Sequence, residues 1–266
     1  MTSLAGIRTA SSRPSTRRAV PPWPLLGVAV LVAALALVPL IYLLLRALDG
    51  GTGAFDALLR PRTLELVFST IMLGNAVIVG SIAMGVPLAW LTVRTDLPGR
   101  RAWSVLAIAP LAVPSYLLAF AFVGAFAPRG WLGGLGVPSI YGYWGAALVL
   151  SLATMPYVVI ATRAALARLD PATEEAARSL GRGPWAAART AVLPVLIPAI
   201  GAGALLACLY AISDFGAVSI LRYDTLATAI YSQYRFSFDR SSAAALALLL
   251  LFLALLLVWA EGRIRR

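Results

Sequence analysis

The sequence contains neither histidine nor lysine, and it has a single cysteine. Without histidine, imidazole metal ligands and histidine acid–base catalysis are excluded. Without lysine, the chain lacks the phosphate-binding loop G-x-x-x-x-G-K-[ST] and any Schiff-base nucleophile, so if nucleotide hydrolysis drives this protein, another chain performs it. Cys208 lies in an apolar stretch, where we interpret it as a small buried side chain. We therefore predict no catalytic residue and no firm metal site.

Charged residues are also scarce, at 12% of the 266 residues, whereas 61% are hydrophobic. Soluble domains have about 25% charged and roughly 45–50% apolar residues, so most of this chain must be surrounded by lipid. Six apolar stretches are each long enough to cross a bilayer, and backbone groups in lipid are satisfied only within helices or closed barrels. The fold class is therefore an all-α integral membrane protein. The six predicted spans cover approximately residues 24–45, 66–93, 102–127, 144–166, 191–213 and 243–260.

The net charge of +11 is explained by the distribution of the arginines along the chain. With six spans, both termini lie on one side of the membrane, together with most of the 22 arginines. This bias follows the positive-inside rule and predicts cytoplasmic termini, with no nucleic-acid partner. We predict a disordered cytoplasmic tail over residues 1–22 and one membrane domain over residues 23–266. The arginines on the opposite side are Arg46, Arg60, Arg62, Arg129, Arg222, Arg235 and Arg240.

A short helix is predicted on the cytoplasmic side, within the segment 169–194 between the fourth and fifth spans. Asp170 suits the N-cap, Pro171 suits the first helical position, and Glu174 and Glu175 stand in the first turn, where the helix dipole favours negative charge. Gly181 is suited to end the helix. A helix of about ten residues is too short to be stable alone in water, so it must pack against something. An ordinary capped connector explains the same pattern equally well.

The same segment resembles a known motif. Its order and spacing are similar to E-A-A-x3-G-x9-I-x-L-P, the signature of ABC importer permeases, with Ala191 at the isoleucine position as the one departure. In that family the segment is the coupling helix that docks into the ATP-hydrolysing subunit. The resemblance therefore implies ATPase coupling by Glu174, Glu175, Ala176, Ala177, Gly181, Leu193 and Pro194.

Further motifs resemble the N-terminal half of ferric-iron permeases, which fuse two such halves. They lie at residues 110–116, 130–131, 155–157, 213–216 and 224–231. The resemblance implies the type I importer permease fold, a place in the bacterial inner membrane, and ferric iron as the substrate. Importers of thiamine, sulfate, polyamines or phosphonate are alternatives. It also implies no cofactor bound by this chain, an ATPase partner that uses ATP and Mg, a periplasmic binding protein, and a second permease half that is this chain or a homologue.

Four residues are candidates for the substrate pathway. Asp214 lies where the fifth span nears the outer face, and an ionisable residue in a span is a functional candidate. Ser115, Tyr116 and Tyr157 offer oxygen donors to a hard cation. The alternative is structural: Asp214 caps the next segment or pairs with an arginine, and the tyrosines anchor the interface. Outside the importer class, a membrane-embedded enzyme and a passive channel or scaffold are the rival hypotheses.

Overall fold

The computed structural model describes residues 23–128, 130–133, 140–170, 179, 183, 186, 188–237 and 239–264. All regular structure within these residues is helical, as expected. The predicted tail over residues 1–22 and most of the predicted short helix, including Glu174, Glu175 and Gly181, lie outside the described residues. In chain order the helices are α1 (Trp23–Asp49), α2 (Gly51–Leu59), α3 (Pro61–Arg94), α4 (Arg100–Leu106), α5 (Ser115–Phe126), α6 (Tyr143–Arg168), α7 (Leu193–Ser213), α8 (Gly216–Ile220), α9 (Leu226–Arg235) and α10 (Arg240–Ile264).

Five helical segments are long and apolar enough to cross a membrane: α1, α3, α6, α10, and α7 together with the π-helical turn Ala188–Val192 that precedes it. They confirm five of the six predicted spans, and all five extend a few residues beyond the predicted boundaries.

The third predicted span is not one continuous helix. A 3-10 turn at Ala109–Ala112 follows α4, and the segment up to Ala112 meets α5 at an angle of 102°. Pro110 and Pro114 explain the break, because a proline lacks a backbone N–H and disfavours helical geometry in the residue before it. Val113, which precedes Pro114, is extended, with φ −104° and ψ 118°. This bent pair counts as a sixth span only if both arms together cross the membrane.

Small residues bring α3, α6 and α7 close together. A β-carbon added at Gly203 of α7 would lie 2.7 Å from the Cα of Val158 and 2.8 Å from the carbonyl oxygen of Tyr157, both in α6. Gly80 of α3 approaches Ser151 of α6 in the same manner. Lipid offers no hydrophobic gain for helix association, so close van der Waals packing of this kind holds membrane helices together.

The contacts divide the chain into two units, Met1–Tyr42 and Leu43–Arg266. The described part of the first unit is the beginning of α1, an apolar helix whose side chains are exposed as expected for a lipid-facing surface. In the second unit, the end of α1 packs with α2 and α10 through Ala47, Ala54, Ala244 and Ala245. The larger core of this unit lies between α3, α6 and α7 and includes Leu73, Val77, Val149, Leu150, Ala207 and Ala211.

The close approach of α6 and α7 predicts opposite outcomes for two glycines in α7. Gly203→Ala places a methyl group against the backbone of α6, so we expect it to lower the free energy of unfolding by about 1–3 kcal/mol. Gly201→Ala is the matched control, because nothing lies within 4 Å of its added β-carbon. Alanine also favours the helix, so Gly201→Ala should be neutral or stabilising. Denaturant unfolding in detergent micelles measures both, and equal stabilities would contradict this packing.

Candidate functional site

The break in the third span is joined to the end of the fifth span by one hydrogen bond. Ser115, the first residue of α5, donates its hydroxyl hydrogen to Oδ2 of Asp214, which directly follows α7. Ser115 is buried, and Asp214 is half-buried. The bond links positions 99 residues apart in the chain.

The other oxygen of the Asp214 carboxylate caps a helix. Oδ1 accepts a hydrogen bond of 2.8 Å from the backbone N–H of Ala217, in the first turn of α8. A carboxylate at this place accepts from an N–H group that has no partner within the helix. The positive end of the helix dipole also stabilises its negative charge. The structure therefore shows the capping alternative for Asp214, while a role in the substrate pathway stays a prediction.

Tyr116 completes the contact between the two segments. A β-carbon at Gly216 would lie 2.9 Å from the Cβ of Tyr116, so only glycine allows this approach. Tyr116 as a whole is 49% exposed, so part of this residue is accessible from outside the fold. Ser115, Tyr116, Asp214 and Gly216 together form the site that we call the span junction.

Tyr157 is not part of the span junction. It lies in α6, and its ring centroid is 6.4 Å from that of Tyr210 in α7. The backbone of Tyr157 packs against Gly203 of α7. Gly203 lies about 16 Å before Asp214 along the helix axis, at 1.5 Å per residue, so Tyr157 is far from the span junction. The structure thus brings together three of the four candidate residues and places the fourth elsewhere on the α6–α7 contact.

The span junction lies near one end of the spans. Gly74 of α3 packs against Ile212 of α7, two residues before Asp214. Along α3, Arg94 at the end of the helix lies about 30 Å from Gly74, a distance close to the thickness of the hydrocarbon core of a bilayer. This separation predicts a position for Asp214 near one membrane interface, where a charged group costs far less than at the bilayer centre.

A set of long-range contacts that sequence reasoning missed holds the segment after α8 against α3 and α6. Tyr223 donates its hydroxyl hydrogen to the carbonyl of Ser69 at 3.2 Å, and Arg62 pairs with Asp224. The guanidinium carbon of Arg222 lies 4.8 Å from the ring centroid of Tyr141, and Arg222 has the left-handed φ of 55° that few residues other than glycine adopt. No local sequence signal reveals these pairs, because their partners lie far apart in the chain.

The span junction offers few ligands for a metal ion. Within the described residues, no three acidic, cysteine or histidine side chains come together. Asp214 is thus a single carboxylate among hydroxyl groups, and both of its oxygens already accept hydrogen bonds. This arrangement suits a structural link and, at most, a weak and transient contact with a cation.

Most of the described residues of the predicted coupling segment lie at its two ends. Leu169 and Asp170 follow α6, and Leu193 and Pro194 begin α7 after the π-helical turn. Pro194 stands in the first turn of α7, where a missing N–H is tolerated. Glu174, Glu175, Ala176, Ala177 and Gly181 lie outside the described residues, so their role stays a prediction.

The hydrogen bond at the span junction predicts an energetic coupling between two distant residues. In a double-mutant cycle of Ser115→Ala and Asp214→Ala, we expect an interaction of about 1–2 kcal/mol in the free energy of unfolding. Ser213→Ala is the control, because its hydroxyl bonds only to Leu209 and Tyr210 of its own helix. The same cycle with Ser213→Ala should give no coupling. An equal value for both serines would contradict the proposed link.

This chain is similar to known transport proteins along most of its length. It is 33% identical over 242 residues to "Fe(3+)-transport system permease protein FbpB 2" of Haemophilus influenzae, a match that covers 91% of this chain and 46% of that protein. The chain thus spans less than half of that relative. It is 31% identical over 205 residues to "Sulfate transport system permease protein CysW" of Escherichia coli, covering 75% of this chain and 70% of that one.

The fold is also found in solved structures. The chain superposes with a TM-score of 0.72 on a chain from the crystal structure of a bacterial ABC transporter involved in the import of the acidic polysaccharide alginate, covering 91% of this chain and 94% of that one. At 17% identity this likeness shows the fold alone. Residues 76–266 match the family described as "Binding-protein-dependent transport system inner membrane component". The chain therefore belongs to this family, the inner-membrane permeases of ABC importers.

Proposed function

We propose that this permease carries ferric iron from the periplasm to the cytoplasm by alternating access, driven by a separate ATPase subunit. The observation that carries the substrate assignment is the similarity to the Haemophilus influenzae ferric-iron permease, which extends over 91% of this chain. A match of this extent includes the spans and the connections between them, and is not confined to one shared motif.

The working transporter has several parts. Two ATPase subunits bind the cytoplasmic face and use ATP and Mg, a periplasmic binding protein delivers the substrate, and a second permease half completes the pathway. Both termini of this chain lie in the cytoplasm, in agreement with the positions of its arginines. The chain itself is not an enzyme, and its lack of lysine and histidine supports this division of labour.

The packing of α7 supports a mechanical role for this helix. The π-helical turn that precedes α7 lies within the coupling segment 169–194, and the other end of α7 leads to Asp214 at the span junction. Close contact at Gly203 makes α6 and α7 move together. Closure of the ATPases then moves the span junction through these two helices. The energy comes from the different affinities of the partners for the two states of the permease.

Passage of a cation past the span junction requires weak binding, because an ion that is held tightly does not leave. Hydroxyl and carboxylate oxygens are the ligands that hard cations prefer, and Ser115, Tyr116 and Asp214 present them at one membrane interface. Tyr157 offers a further hydroxyl deeper along α6. These four residues form the proposed pathway.

Sulfate is the second candidate substrate, since a sulfate permease matches three quarters of the chain at similar identity. The carboxylate of Asp214 argues against sulfate at the span junction, because two negative charges repel each other. Uptake of radioactive ferric iron and of radioactive sulfate distinguishes the two in cells that lack their own importers and express this permease with its ATPase and binding protein. Iron uptake that depends on this chain supports the proposal, and sulfate uptake alone overturns it.

The coupling segment predicts a variant that uncouples the transporter. Gly181→Asp replaces the residue that ends the predicted helix, so we expect it to leave membrane insertion intact and to separate ATP hydrolysis from uptake. Gly183→Asp is the control, because no described residue has an atom within 4 Å of its added β-carbon and the motif accepts any residue at this position. Membrane abundance, ATPase activity and uptake are measured in parallel. Loss of the Gly181→Asp protein from the membrane would count against this prediction.

A further inference from the structure

A large apolar groove lies between α3 and the beginning of α7, remote from the span junction. Its volume is about 1080 Å³, at the upper end of the range for small-molecule sites. It lies near the end of the spans that carries Arg94, because Ala89 of α3 packs there against Val192 and Leu196. The groove therefore opens on the side of the bilayer opposite to Asp214.

The lining of the groove is polar at one end and apolar along the rest. Val86, Pro87, Trp90 and Leu91 form one wall on α3. The other wall contains Arg189 from the π-helical turn together with Leu193 and Leu196 from the beginning of α7. Arg189 is thus followed by about 10 Å of apolar wall along the helix axis.

Arg189 has no neutralising partner in the part of the chain that the structure describes. Its side chain is exposed, and it makes no hydrogen bond or ion pair with those residues. The hydroxyl of the neighbouring Thr190 donates to the carbonyl of Ala186 and forms no hydrogen bond with the guanidinium of Arg189. A cation at the rim of an apolar groove in a bilayer attracts an anion that carries its own apolar chain.

We propose that an anionic phospholipid occupies this groove, with its phosphate on Arg189 and an acyl chain between Leu193, Leu196 and the wall formed by α3. The match is one of charge and of shape, because the guanidinium binds phosphate oxygens in a bidentate manner and the apolar wall continues away from it. Trp90, half-buried in the same wall, belongs to the residue type enriched where headgroups and acyl chains meet. Basic pockets between spanning helices bind acidic headgroups in this manner.

The π-helical turn Ala188–Val192 gives this lipid a direct contact with a helix that we expect to move. Such turns depart from regular α-helical hydrogen bonding and are frequent at functional sites. Arg189 lies within the turn, so a bound phosphate and the helix start are physically linked. Occupancy of the groove is therefore a property of this chain that does not depend on which substrate is carried.

Native mass spectrometry tests the proposal with the full-length chain reconstituted in nanodiscs of phosphatidylcholine and phosphatidylglycerol. We expect at least one phosphatidylglycerol to be retained in preference to phosphatidylcholine of the same chain length. Arg189→Gln should weaken this preference about fivefold, the effect of one basic residue on an acidic headgroup. Arg101→Gln, an exposed arginine of α4 that does not line the groove, is the control and should leave retention unchanged.

A second variant tests the apolar part of the groove. Leu91, which is 40% exposed, lies in the α3 wall, so Leu91→Trp fills the space for an acyl chain and leaves Arg189 in place. We expect it to reduce retention of both lipids. Equal retention by Arg189→Gln and Arg101→Gln would overturn the proposal. So would a complex of two permease chains that holds no lipid, since a second copy would then cover the groove.

Discussion

Direct contact between helix backbones is the constraint on which this permease depends. In lipid, burial of apolar side chains gives little reason for helices to associate, so they must approach closely enough for dispersion forces to act. Gly203 allows this between α7 and α6, and Gly80 and Gly85 allow it between α3 and α6. The three helices form one packed unit, and the core of buried residues lies along their contacts.

The broken third span is attached to this packed unit at the end of α7, where Ser115 bonds to Asp214. The chain leaves regular helical geometry at Val113 and Pro114, yet the N–H of Val113 donates to the carbonyl of Pro110, and the carbonyl of Pro114 accepts from the N–H of Leu117. Ser115 and Asp214 also hold the start of α5 in place, since the carboxylate accepts from the hydroxyl and from the N–H of Ala217. One acidic side chain thus holds the start of α5 and the start of α8 at the end of α7.

Much of this architecture could be predicted from the sequence, because the length of an apolar stretch is a local property. Five spans were predicted within a few residues of their ends. The angle of 102° could not be predicted, since it depends on contacts such as Ser115 with Asp214 across 99 residues. The contacts of Tyr223 with Ser69 and of Arg222 with Tyr141 could not be predicted either, because in each pair the two residues lie far apart in the sequence.

For the candidate site, the types of the residues indicated the candidates, but the sequence did not show which of these residues lie close together in the fold. Ser115, Tyr116 and Asp214 were chosen as oxygen donors in spans, and the structure brings them together. Tyr157 was chosen by the same criterion, yet it lies beside Tyr210, because its place along α6 is set by the contact with Gly203. Residue type alone therefore does not say which donors meet.

The fifth span carries its charged residues only near its two ends. No charged residue lies between Arg189 and Asp214, so the intervening helix can shift or tilt without carrying a charge into the hydrocarbon core. A charged residue at each end would limit such a shift, since moving either charge into the core is costly. The helix thus has an uncharged central part and a charged residue near each end. This is the property that a part linking one face of a membrane to the other requires.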